Sequence, residues 1–169
     1  MFGSLLPFGG AMQKITTFLT FAENAEQAAK FYVSIFKPSK IIKTTRYGET
    51  GPGTKGSVMT VEFKLAGQEY VALNGGDSFS FSMGTSLSVD CKTQKEIDTY
   101  TRKLVANGGE QLPCGWVRDK FGMFWQITPA ILPKMIADKN AARADRAMRA
   151  MMDMMKLDIA ALKKAYAGK

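Results

Sequence analysis

The sequence predicts an α+β fold of two βαβββ modules followed by a helical appendix. Three observations carry that prediction. Short runs of β-formers alternate apolar and polar residues, two stretches with apolar residues at helical spacing interrupt them, and the whole order of elements occurs twice. With 169 residues, 46% of them hydrophobic and 11% aromatic, the chain has enough apolar surface to close such a core.

Patterning begins at Gln13, so residues 1–12 read as a leader or cloning remnant. Residues 15–21 alternate and form a strand. Asn24 is placed to cap a helix over 25–36, its side chain accepting from first-turn amides. Ala28, Phe31, Tyr32 and Ile35 form the apolar stripe, and Pro38 stops the helix. A strand over 41–47, a glycine-rich loop over 48–56 and a hairpin of strands 58–65 and 69–73, turning on Ala66-Gly67, complete the first module. After a loop over 74–83 the pattern restarts with a strand over 85–90. Thr93 and Glu96 form a capping box for a helix carrying Ile97, Tyr100, Leu104 and Val105 on its apolar face. Strands over 110–112, 116–119 and 124–128 follow, the last hairpin turning at Phe121-Gly122. At an offset of 69, Thr20 matches Val89, Ala28 matches Ile97, Phe31 matches Tyr100 and Ile35 matches Leu104. The modules thus span 13–76 and 84–129. In the appendix, 130–169, a helix runs from Asn140 to Met155 with Met148, Met151, Met152 and Met155 as a packing face, and Asp158 caps a last helix to Ala167.

Composition narrows the function classes. No run approaches the roughly 18 apolar residues of a membrane span. Two cysteines, Cys91 and Cys114, are too few for a disulfide framework, which points to a reducing cytoplasm. The chain has no histidine, so neither a thiol–imidazole pair nor a histidine base is available. The net charge of +8 does not indicate nucleic acid. Nine basic against four acidic residues within 133–169 leave +5 of it on the tail helices, among alanines and methionines with no aromatic platform for bases.

Four local motifs go further: Tyr70-Val-Ala-Leu-Asn-Gly-Gly76, Cys91-Lys-Thr-Gln-Lys-Glu-Ile-Asp98, Cys114-Gly-Trp-Val-Arg-Asp-Lys-Phe-Gly-Met-Phe-Trp-Gln-Ile-Thr-Pro129 and Met155-Lys-Leu-Asp-Ile-Ala-Ala-Leu162. With the paired modules, they make the chain resemble the vicinal-oxygen-chelate superfamily of glyoxalase I, bleomycin-resistance proteins and ring-cleaving dioxygenases. Within it, they resemble the PhnB-like branch, also called 3-demethylubiquinone-9 3-methyltransferase-like. The resemblance implies a half-barrel fold, a homodimer and four metal-ligand positions on the first and last strands of the modules. Those positions carry Ile15 or Thr17, Val71, Gly84 or Ser86, and Gln126, of which only Gln126 suits a metal, so no metal or cofactor is expected. No glycine-rich strand-to-helix turn suited to S-adenosylmethionine accompanies the methyltransferase name.

Alternation puts Phe124, Gln126 and Thr128 on one face of the last strand, with Trp116 and Arg118 sharing a face of its neighbour. Asn74, Tyr47, Phe79 and Phe81 are expected on the rim of the same pocket. The expected activity is metal-free binding of a small hydrophobic or aromatic molecule. Two alternatives stand beside it: an enzyme of the same fold, whether lyase-like or the named methyltransferase, and a structural homodimer without ligand. Trp125 is expected in the core and Asp119 in fixing its turn. With Glu62 and Tyr47, Asp119 is also a remaining candidate for proton transfer.

Overall fold

The computed structural model describes residues 15–169, so the leader expected over 1–12 lies outside the described residues. The chain divides into two compact units, the first ending at Phe79 and the second starting at Ser80.

In the first unit β1 (Thr17–Phe21), α1 (Ala25–Ile35), β2 (Ser39–Arg46), β3 (Val58–Leu65) and β4 (Gln68–Asn74) follow in sequence, and the sheet order is β1-β4-β3-β2 with β1 and β4 parallel. Helix α1 buries Ala25, Ala28, Ala29, Tyr32 and Ile35. Its alanines permit close approach to the sheet, while Tyr32 meets Phe63, which stacks on Tyr70 with ring centroids 5.6 Å apart. Ala66 and Gly67 both take positive φ, the mirror-image backbone that a two-residue hairpin requires.

The second unit repeats this plan with β5 (Leu87–Cys91), α2 (Gln94–Val105), β6 (Glu110–Gln111), β7 (Trp116–Arg118) and β8 (Phe124–Pro129), in sheet order β5-β8-β7-β6. The strand expected over 110–112 is shorter because Pro113–Gly115 forms a 3-10 turn before β7. The expected capping box is present: Glu96 N–H donates to Thr93 Oγ1 (3.2 Å), and Thr93 N–H donates to Glu96 Oε2 (3.0 Å).

Two further expectations within the modules are corrected. The side chain of Asn24 makes no capping bond. Ala25 N–H donates instead to Oδ1 of Asn74 (2.8 Å), a cap supplied from the end of β4, 49 residues away. The offset of 69 holds in the helices, where Ala28 and Ile97 are both fully buried, but not in the first strands. Phe21 pairs with Asn74 and Cys91 with Pro129, and the next amide, Gly75 or Ala130, donates to the carbonyl of Phe21 or Cys91 in turn. The equivalent of Thr20 is therefore Asp90, an offset of 70, since only Lys92 and Thr93 separate β5 from α2 where three residues separate β1 from α1. This alignment also makes Val71 the counterpart of Gln126, and Glu62 that of Trp116.

The appendix belongs to the second unit. α3 (Leu132–Ile136), α4 (Ala141–Met152) and α5 (Ile159–Ala167) enclose a small core of Leu132, Met135, Ala147, Leu157 and Leu162. α4 ends at Met152, not Met155: Met154 N–H donates only three residues back, to Met151 O (3.2 Å), and the carbonyls of Met154 and Met155 accept from Cys114 N–H (2.7 Å) and Gly115 N–H (2.8 Å). Of the expected methionine face, Met151 packs on this core, whereas Met152 and Met155 are exposed. The side-chain amide of Gln94 fastens the start of α5, donating to Leu157 O (3.1 Å) and accepting from Ile159 N–H (2.9 Å). Gly115 lies at φ +79, and a Cβ there would stand 2.9 Å from the Leu157 side chain and 3.0 Å from the Ile127 carbonyl oxygen.

Candidate functional site

Helix α2 covers one face of the second sheet, where Val117, Trp125 and Ile127 are buried. The opposite face carries Trp116, Gln126 and Thr128, and together with Cys114 of the 3-10 turn they line a cavity of about 480 Å³. Its other wall is helical: Leu132, Pro133 and Ile136 of α3, and Met151 of α4. The volume lies within the range of small-molecule sites. None of these eight side chains carries a charge. Gln126 Nε2 donates to Ser86 Oγ (2.8 Å), and among the described residues no hydrogen bond reaches its Oε1.

Of the residues that the sequence marks for a site, Gln126 and Trp116 thus line one cavity. Phe124, on the same strand face, is buried, and the cavity wall does not include it. Arg118 lies across from Glu110 and pairs with it (3.0 Å), both half-exposed, so its guanidinium already has a carboxylate partner. In the first unit both ends of the Asn74 side chain serve the fold, Oδ1 accepting from Ala25 and Nδ2 donating to Val58 O (2.9 Å). Tyr47 OH donates to the Asn74 carbonyl (3.1 Å). Phe79 is exposed and Phe81 half-exposed. Sequence reasoning gives Met151 a packing role only and misses the helical wall of the cavity. Pro129 and Pro133 announce the appendix, but the packing of Ile136 and Met151 over β8 depends on the backbone bonds from Cys114 and Gly115, which leave no local signature.

The proton-transfer candidates are occupied or isolated. Asp119 is buried, its Oδ1 accepting from Phe121 N–H (2.8 Å) and Met123 N–H (3.1 Å) and its Oδ2 from Trp125 Nε1–H (2.8 Å), so it ties the hairpin to the core. Glu62 is buried on the sheet face opposite α1, and its Oε2 has no hydrogen-bond partner among the described residues. Burial pushes the Cys91 thiol up to about 12, with the charges of Glu96 and Asp90 adding to the effect, and so keeps it inert.

The metal that the sequence resemblance implies does not fit. At the mapped positions Val71 is an alkyl side chain, Gly84 has none, Ser86 already bonds Gln126, and a lone amide oxygen cannot replace the imidazole or carboxylate set that a transition metal needs. Among the described residues no group of three or more Cys, Asp or Glu side chains converges.

Residues 13–128 match the 3-demethylubiquinone-9 3-methyltransferase family. The match ends at Thr128, ahead of the helical appendix. Among solved structures, the PhnB protein from Bacillus cereus is 42% identical, with a TM-score of 0.64 over 70% of this chain and all of that one. A Staphylococcus aureus protein is 31% identical over 72% of this chain and 99% of its own, at a TM-score of 0.33. Protein PA1353 of Pseudomonas aeruginosa, 19% identical, shares the fold at a TM-score of 0.54 over 68% of this chain and 95% of its own. No curated protein matches the chain. The match over 13–128 and the identity to the Bacillus PhnB protein are sufficient: the chain belongs to the 3-demethylubiquinone-9 3-methyltransferase family.

Proposed function

We propose that the protein binds a small, uncharged, largely apolar molecule with an aromatic or hydrogen-bonding part in the cavity of the second unit, without a metal. The observation that supports this reading is the lining: an indole, an amide with an unused acceptor, and aliphatic side chains with no charge among them. An ionised ligand would give up part of its hydration there with no counter-charge on the lining to replace it. The same argument weighs against S-adenosylmethionine in this cavity, since that cofactor carries a sulfonium, an ammonium and a carboxylate. The methyltransferase reading then rests on the family's name alone. A homodimer and a cytoplasmic location accompany the proposal as expectations; among the described residues no helix is long and apolar enough to cross a membrane.

Calorimetric titration of the full chain with neutral phenols, and with S-adenosylmethionine as contrast, tests the site. Gln126→Leu should weaken phenol binding by roughly 1–3 kcal/mol, through the hydrogen bond lost to the ligand. Trp116→Ala should cost as much or more through lost aromatic contact. Equal affinity of both variants and the parent for every ligand that binds would remove the cavity from consideration, and binding of S-adenosylmethionine alone would restore the methyltransferase reading.

A further inference from the structure

The two walls of the cavity differ in chemistry and in origin. The sheet wall, within the segment that matches the family, offers an indole, a hydroxyl and an amide acceptor on Trp116, Thr128 and Gln126. The helical wall, beyond that segment, offers only aliphatic and thioether surface on Leu132, Pro133, Ile136 and Met151. Hydrogen-bonding groups on one side and none on the other do not match a ligand of uniform polarity. A uniformly polar molecule would leave its groups unsatisfied against α3, and a pure hydrocarbon would strip water from Gln126 Oε1 without replacing its hydrogen bond.

We infer that the C-terminal helices are the specificity-determining wall of the site, and that Ile136 and Met151 select an aliphatic chain on a ligand whose neutral, hydrogen-bond-donating head lies against Gln126. This rests on the reading that the cavity binds a small molecule, and it adds which part of the chain chooses among ligands. The wall is well placed for selection because it is fixed without being part of the sheet. Met154 and Met155 accept from the 3-10 turn that carries the cavity residue Cys114, and Gln94 holds the chain on either side of Asp158. Methionine at position 151 suits the task, since a flexible thioether adapts to chains of different length. Changes in α3 or α4 therefore alter ligand choice while leaving the polar contacts of the sheet in place.

The test is a chain-length series on the full-length protein: phenol and its 4-alkyl derivatives from methyl to octyl, with affinities from calorimetry. For the parent, affinity should rise by up to about fourfold per methylene until the chain outgrows the cavity. Met151→Trp, which fills the aliphatic side, should lower hexylphenol affinity by tenfold or more while 4-methylphenol stays within about twofold. Ile136→Ala, which opens it, should move the best chain to a greater length. Gln126→Leu should weaken every member of the series by a similar factor. If the parent binds phenols and loses them on Gln126→Leu, but the chain-length profile is flat or identical in both helix variants, the helical wall does not select and this inference falls while the binding reading stands. If no phenol binds the parent, the binding reading fails and this inference with it. Thermal melting of each variant, unchanged within a few degrees, confirms that an altered profile comes from the wall and not from loss of fold.

Discussion

Asp119 is only 2% exposed, although it sits at a hairpin turn, where a carboxylate is ordinarily exposed. Three donors explain the burial: two turn amides and the indole of Trp125, whose ring is core. Asp119→Asn should destabilise the protein by about 1–3 kcal/mol, because the carboxamide places an NH2 either against the Trp125 donor or against the turn amides. Urea unfolding measures it, and a loss under 0.5 kcal/mol would show that the network carries little. Cys91 gives a test in pH. In the unfolded chain its thiol ionises near the ordinary value of 9.0, whereas the folded chain holds the proton up to about 12. Its contribution to stability is therefore complete below pH 9 and is lost as pH rises from 9 to 12. Tyr70, also raised by burial, acts in the same direction. Chemical denaturation at pH 8 and at pH 10.5 should show a fall in stability for the parent and a smaller fall for Cys91→Ala; equal falls would mean that the thiol does not contribute. At this scale the sequence supports the core role of Trp125 and the turn role of Asp119, because each residue's bonding capacity constrains its place. It does not announce the commitment of Asn74 to the fold, since an asparagine at a strand end carries no mark of which distant amide it will meet.

The two repeated helices solve one problem in different ways. α2 caps itself with neighbours in sequence, Thr93 and Glu96, while α1 takes its cap from Asn74. The alignment of the sheets shows why the second module cannot copy the first. The counterpart of Asn74 is Pro129, which has no amide side chain to offer. Accordingly Asn24→Ala should leave stability within about 0.5 kcal/mol, Thr93→Ala should cost about 1 kcal/mol, and Asn74→Ala should cost about 2 kcal/mol because it also releases Val58 O. Thermal unfolding of the three variants should rank them in that order, and Asn24→Ala ranking last in stability would return the cap to its local position. Element existence and type are legible where periodicity is strong, as in α1, α2 and the hairpin of β3 and β4. The 3-10 turn and the chain just after α4 are not, since they meet through the backbone pairing of Cys114 and Gly115 with Met154 and Met155.

For the whole molecule, the repeat is the most informative feature of the sequence, since it implies two modules of four strands each; the margins of the two sheets differ in protection. β2 carries Lys40, Lys43 and Arg46, β6 has two residues, and β5 includes Asp90; charge and shortness are the usual defences of a sheet margin. β1 has neither charge nor proline, and Phe18 on it remains 52% exposed, beside Ile15 at 82%. A margin with neither charge nor proline and with an exposed phenylalanine is suited to a second copy of the chain. The expected mass in solution is therefore twice 18.5 kDa. A charge of +8 on each copy opposes association at low ionic strength, so light scattering at tens of micromolar protein should be run near physiological salt, where the Debye length falls to about 8 Å. Phe18→Lys should shift the population to monomer without unfolding it, since an exposed side chain contributes little to the core. A parent of 18.5 kDa at every concentration would rule out the dimer, and a dimer unaffected by Phe18→Lys would move the interface away from β1.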